Sequence, residues 1–294
     1  MEYQESFISY LQYEKRCSAH TVTAYRNDLD QFVQYFAEMV GEFNVNKVDA
    51  RLVRGWVIKL MEKGLNPGSV NRKVSSLKSF FKYLQRQRVI VENPISAVPL
   101  PKIRRRLPEF VEENKLNHLL DSGYFTDNFI GTRDELIIAL FYGTGIRLSE
   151  LVGLKYNDID LNATQIKVLG KRNKERIVPY PSSINSLIVK YWEKRAELFG
   201  TNSDCLLLTE KGAPVYAKLV YRVVKNELGK VTLLEKRSPH VLRHTYATHL
   251  MNHGADLNAV KELLGHSSLA ATQIYTHTTF KKVHEIYKQA HPRG

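Results

Sequence analysis

The sequence predicts a mainly α fold with a small antiparallel β-sheet, divided into an N-terminal helical domain (1–98), a linker (99–108) and a C-terminal α+β domain (109–294). Three observations predict it. Apolar residues recur at three- and four-residue steps through the first hundred positions, a basic proline-rich stretch follows, and two apolar alternations flank a polar tip in the second half. At 294 residues the chain suits two cores better than one.

Phe7 and Leu11, then Val22, Tyr25, Leu29, Phe32, Val33 and Phe36, lie on helical stripes, with Ser18 and His20-Thr21 as turn and cap between them. Val53, Trp56, Val57 and Leu60 mark a third helix, ended by Lys63-Gly64 and the turn Asn66-Pro67-Gly68. Ser69 is expected to cap a fourth helix with Val70, Val74, Leu77, Phe81 and Leu84 along one side. Its other surface carries Arg72, Lys73, Ser75, Ser76, Lys78 and Lys82, with no carboxylate between Ser69 and Gln87. Small hydroxyls among cations suit close approach to a phosphate backbone, so Arg72, Lys73 and Ser76 are expected to contact DNA; a solvated helix face is the plainer alternative.

Asn93-Pro94, Pro99, Pro101 and Pro108 then stiffen the chain and block helix, as in an interdomain linker. Lys102, Arg104, Arg105 and Arg106 make it a cationic strap able to lie along DNA, or simply a solvated basic connection. Beyond it, Leu116, Leu119 and Leu120 suggest a short helix, Glu135 to Tyr142 another that ends at Gly143-Thr144-Gly145, and Ser149 to Val152 a further turn. Ile166 and Val168, then Ile177 and Val178, read as two β-strands around the tip Gly170 to Lys174. Helices resume at Ser183 to Phe199 and continue to the end.

Composition narrows the class of function. With 43% hydrophobic and 25% charged residues the chain reads as globular, and no run approaches the roughly 18 apolar residues of a membrane span. The start, MEYQESFISYLQYEKR, does not read as a signal peptide, and Cys17 and Cys205 are too few for a disulfide framework. A cytoplasmic protein is expected. A net charge of +13 favours a polyanionic partner, since each neutralised phosphate releases condensed counterions.

The chemistry concentrates near the C-terminus. Ser238-Pro239 is a good helix start, and His240 and Arg243, three residues apart, project from one face of that helix. Arginine offers a planar fork for two phosphate oxygens, and histidine donates or moves a proton at neutral pH. Arg147, in GTGIRLSEL, would add a second guanidinium, the differential stabilisation that a highly charged pentacoordinate phosphorane calls for. Lys171 at the hairpin tip could protonate a leaving 5′ oxygen, with Arg172 and Lys174 as neighbours of like charge. His266 and Tyr275 complete the block, Tyr275 as a phenolic nucleophile needing cations or a base nearby. His240/His244 and His249/His253 stand four apart and could hold zinc, but no glutamate takes the HExxH position and no cysteine is near, so no metal and no cofactor is expected.

Arg147 in TGIRLSEL, Lys171 in GKRNKERIVP, His240 and Arg243 in SPHVLRHTYATHL, His266 in LLGHSSL and Tyr275 in TQIYTH resemble the tyrosine site-specific recombinases of the phage integrase family. TVTAYRNDLDQF, SVNRKVSSLKSFFKYL, the ENP linker and the closing AHPRG resemble its bacterial XerC/XerD branch. The resemblance implies a two-domain clamp on double-stranded DNA, with a core-binding domain at 1–98 and a catalytic domain at 109–294. It implies that Tyr275 forms a 3′-phosphotyrosyl bond, Arg147 and Arg243 clamp the scissile phosphate, and Lys171 acts as general acid. His240 would assist proton transfer and His266 would hydrogen-bond the phosphate, with neither ATP nor metal.

It also implies a homo- or hetero-tetramer on two sites, exchanging strands through a Holliday junction, with the segment from about Phe280 to Gly294 packed on a neighbouring protomer. A paralogous recombinase and a septal DNA translocase are the further partners it suggests, and chromosome dimer resolution the role. A mobile-element integrase, a DNA invertase and a non-catalytic DNA-binding regulator are the alternatives.

Overall fold

A computed structural model describes residues 2–103, 109–121, 123–170, 175–200, 203–265, 286, 287 and 289–293. Its chain forms two compact units, Met1–Arg106 and Leu107–Gly294.

The first unit is helical: α1 (Glu2–Ser9) runs into a π-helical turn (Tyr10–Glu14), followed by α2 (Ala19–Met39), α3 (Ala50–Glu62) and α4 (Pro67–Arg86). Ser18 and Asp49 accept backbone N–H groups at the starts of α2 and α3. The cap of α4 is Asn66 and not Ser69: the Asn66 side chain accepts from the Ser69 N–H at 2.9 Å, and Pro67 takes the first helical position. The turn and the cap are one device, which moves the helix start upstream. Phe7, Leu29, Phe32, Phe36, Trp56, Leu77, Phe80 and Phe81 interlock as the core, with the Phe32 and Trp56 rings edge to face at 5.1 Å.

A charged cluster crosses this core between α2 and α4. Buried Asp28 accepts Arg72 Nη2 at 2.9 Å, Lys73 Nζ at 3.0 Å and Ser76 Oγ at 2.8 Å, and Lys73 also reaches Gln31 Oε1 at 2.7 Å. The carboxylate missing from α4 comes from α2. Lys73 and Ser76 are buried on Asp28, which corrects the expectation that they face a phosphate backbone; the side chain of Arg72 stays half exposed. Lys102 is exposed, just past Pro101, whose carbonyl accepts Asn71 Nδ2; Arg104, Arg105 and Arg106 lie outside the described residues.

The second unit is built on α6 (Phe129–Thr144), a helix buried on nearly every side and packed by α8 (Ile184–Phe199), α9 (Ala217–Val231) and α10 (Pro239–Asn252). A helix enclosed all round has no polar stripe, and so its reading from periodicity, Glu135 to Tyr142, falls short of its full length. The short helices α5 (Glu113–Asp121), α7 (Leu148–Val152) and α11 (Leu257–Leu264) also belong to this unit. Strands β1 (Ile159–Asp160), β2 (Gln165–Leu169) and β3 (Glu175–Pro179) form an antiparallel sheet in that order, with Ile166 opposite Val178 and Val168 opposite Arg176. The expected hairpin is present, with a further short strand beside it. No helix among the described residues is long and apolar enough to cross a membrane.

The described part of the C-terminal segment packs on its own unit. Tyr287 is buried and donates to the Gly143 carbonyl at 2.9 Å, and His291 Nε2 lies 3.1 Å from the Tyr142 carbonyl. Burial pulls the His291 imidazole down to about 4, so at neutral pH it is uncharged, its Nδ1 accepting the Arg293 N–H. Tyr287 thus packs within its own unit, whereas the resemblance implies packing of the segment from about Phe280 to Gly294 on a neighbouring protomer.

Replacing Asp28 by alanine strands a buried lysine, a loss expected to destabilise the first unit by about 3–5 kcal/mol. Urea unfolding of Asp28→Ala checks it, and a change below about 1 kcal/mol would show that the cluster does not hold α2 to α4.

Candidate active site

The site begins where α6 stops. Gly145 ends the helix in the left-handed region (φ 60°), and a Cβ there would stand 2.4 Å from the Tyr246 ring, so only glycine fits. Two residues on, Arg147 occupies the N-cap of α7. Its backbone N–H donates to Glu150 Oε2 at 2.7 Å, its Nη1 to Glu150 Oε1 at 2.9 Å and its Nη2 to the Gly265 carbonyl at 2.9 Å.

Arg243 reaches the same place from α10, whose start is fixed by Ser238 and Pro239 as expected. Its guanidinium donates at 2.6 Å to the Gly145 carbonyl and at 2.6 Å to the Leu264 carbonyl. Arg147 and Arg243 thus hang from adjoining carbonyls at the C-terminus of α11, where helix dipoles favour cations. Burial, and then the charge of Arg147, pull the Arg243 guanidinium down to about 10, which leaves it cationic at neutral pH.

His240 is exposed one turn before Arg243. His244 is half buried, and burial and then His240 hold its imidazole below the ordinary range. The other two histidines are structural: His249 Nδ1 lies 3.0 Å from the Tyr142 hydroxyl, and His253 Nε2 lies 3.6 Å from Glu113. Among the described residues no group of three or more His, Cys, Asp or Glu is placed to hold a metal ion. Arg147 and Arg243 are the predicted residues that the structure brings together, with His240 on the same helix as Arg243. Lys171, Arg172, His266 and Tyr275 lie outside the described residues, His266 being next in the chain after Gly265.

Sequence reasoning missed two residues. Glu150 is buried and accepts Arg176 Nη1 at 2.7 Å and Nη2 at 2.9 Å, besides its two bonds from Arg147. Burial pushes its carboxyl up, but the hydrogen bonds from Arg176 and from the Arg147 backbone outweigh that and hold it at about 2. Arg176 carried a signal, since counting by twos from Val178 puts it on the core face of β3, whereas Glu150 follows Arg147, which is not a residue type that marks a helix start.

Residues 109–282 match the phage integrase family, and residues 5–88 match the phage integrase N-terminal SAM-like domain. A tyrosine recombinase XerC of Thermodesulfovibrio yellowstonii is 39% identical, over 99% of this chain and 96% of its own. One of Chlorobaculum tepidum is 36% identical, over 98% and 94%. A crystal structure of the XerH site-specific recombinase bound to palindromic difH substrate superposes with a TM-score of 0.72 at 24% identity, over 96% of this chain and 82% of that one. At that identity the likeness is one of fold.

A folded-state value near 2 against an ordinary 4.5 means that Glu150 stabilises the native state fully above about pH 4.5. That stabilisation, about 3 kcal/mol, is lost as pH falls toward 2. Urea unfolding between pH 5 and 2 should show a steeper loss of stability in wild type than in Glu150→Gln; equal slopes would refute the bonding described.

Proposed function

The chain belongs to the phage integrase family and is a tyrosine recombinase, and from this premise we propose that Tyr275 is its nucleophile and chromosome dimer resolution its role. The phenolate of Tyr275 attacks the scissile phosphorus, the P–O5′ bond breaks, and a 3′-phosphotyrosyl link forms while Lys171 protonates the departing 5′ oxygen. Attack of a 5′ hydroxyl from the second duplex reverses the chemistry and joins new partners through a Holliday junction. The link conserves the phosphoester bond, so ATP supplies nothing that the reaction lacks.

The observation that carries this reading is the Arg147–Arg243 pair, two guanidinium groups held on adjoining helix-end carbonyls in a chain similar to XerC proteins along nearly its whole length. A phosphorane bears more negative charge than the diester, so fixed cations favour the transition state over the ground state. His240, exposed one turn before Arg243, suits proton transfer, and His266 suits a hydrogen bond to the phosphate. Arg72 and Lys102, with Arg104, Arg105, Arg106 and Arg172, are our proposed DNA contacts.

The assembly proposed is a homo- or hetero-tetramer on two DNA sites in the cytoplasm, with a paralogous recombinase as the second subunit type and a septal DNA translocase as accessory.

A suicide duplex carrying the target site tests the chemistry. Wild type is expected to form a covalent protein–DNA adduct in EDTA and without ATP, and Tyr275→Phe none. An adduct with the Phe protein would remove Tyr275 from its role. Mapping the DNA held in cells by Tyr275→Phe tests the biology: a single site near the replication terminus fits dimer resolution, and inverted repeats beside promoters fit inversion.

A further inference from the structure

The three-stranded sheet buries one face, and alternation along β2 and β3 puts Ile166, Val168 and Val178 on it together with a charged residue, Arg176. A guanidinium on a core face has to be paired. Arg176 closes a fork on Glu150, and its Nε lies 3.4 Å from the Leu263 carbonyl, one residue before the carbonyl that holds Arg243. A Cβ added at Gly265, whose carbonyl holds Arg147, would stand 3.0 Å from the same Nε. One side chain therefore packs against the residues that flank Leu264, next to the anchors of both active-site arginines.

The carboxylate between them is fully used. Each Glu150 oxygen takes one donor from Arg147 and one from Arg176, which fills the roughly four lone-pair sites of a carboxylate. With Arg147, Arg176 and Arg243 around one carboxylate, two positive charges remain in excess; without Arg176 only one would remain, and Glu150 would neutralise Arg147 alone.

We propose that Arg176 is a positioning residue for strand cleavage: acting through Glu150, it fixes the guanidinium of Arg147 and leaves that guanidinium's charge free for the scissile phosphate. This rests on the functional reading above. Arg176 also lies five residues after Lys171, so its anchor ties the base of that strand to the arginine pair. Among the groups that hold the Glu150 carboxyl down, the hydrogen bond from Arg176 comes first, so losing it lets burial raise the carboxyl.

Two measurements test this. In single-turnover cleavage of a suicide duplex, Arg176→Gln is expected to be slower by about 10–100-fold, the usual effect of removing a group that orients a reacting one, with DNA affinity within about threefold. Its rate should also begin to fall with acid at a pH where wild type stays level, as Glu150 takes up a proton. Arg176→Lys, which keeps the charge without the fork, should restore the level pH profile and only part of the rate. A merely structural role would lower binding or stability and leave the pH profile unmoved. The second measurement is the titration of Glu150 by carboxyl-carbon NMR, which needs no activity: the proposal is overturned if Arg176→Gln leaves it in place, or if that variant cleaves within threefold of wild type. Failure of the functional reading is separate and visible, since wild type itself would then form no adduct.

Discussion

Buried guanidinium groups must find acceptors, and in the second unit the acceptors are the spent ends of helices. Residues at a helix C-terminus leave carbonyls without partners, and here the ends of α6 and α11 converge. The Gly145, Leu264 and Gly265 carbonyls need donors as much as Arg147 and Arg243 need acceptors. Each solves the other's problem. That mutual demand fixes where α6 stops, where α7 starts and how α10 lies against α11, so the position of the reactive groups follows from the same bonds that close the fold.

Much of this was legible in advance. Helices with one wet face, such as α2 and α3, showed their periodicity, and the strand pair showed its alternation. Ser238 and Pro239 gave the start of α10, and so placed His240 and Arg243 on one helix. What escaped notice is what depends on partners distant in sequence. The face of α4 with no carboxylate of its own looked open until Asp28 arrived from α2. The length of α6 was hidden because enclosure removes the stripe that periodicity detects. Glu150 and Arg176 are 26 positions apart, and only the register of β2 and β3 with the cap of α7 brings them together.

Both units place a charged cluster where an apolar contact would also serve. Asp28 ties α2 to α4, and Glu150 ties α7 to β3. Apolar packing tolerates small rotations, whereas a forked hydrogen-bond pair does not, so such clusters set orientation more sharply than they add stability. In the second unit the orientation so defined is that of Arg147, the group proposed to meet the phosphate.

The Asp28 cluster has an entropic consequence. The side chain of Arg72 is half exposed, yet its guanidinium is gripped at two points by a carboxylate that is itself buried. A free arginine has about 2 kcal/mol of rotamer freedom to lose when it meets an anion. Arg72 has surrendered most of it by the time the first unit is folded. The ordering of that side chain is thus charged to folding, and any phosphate that reaches it meets a donor already still.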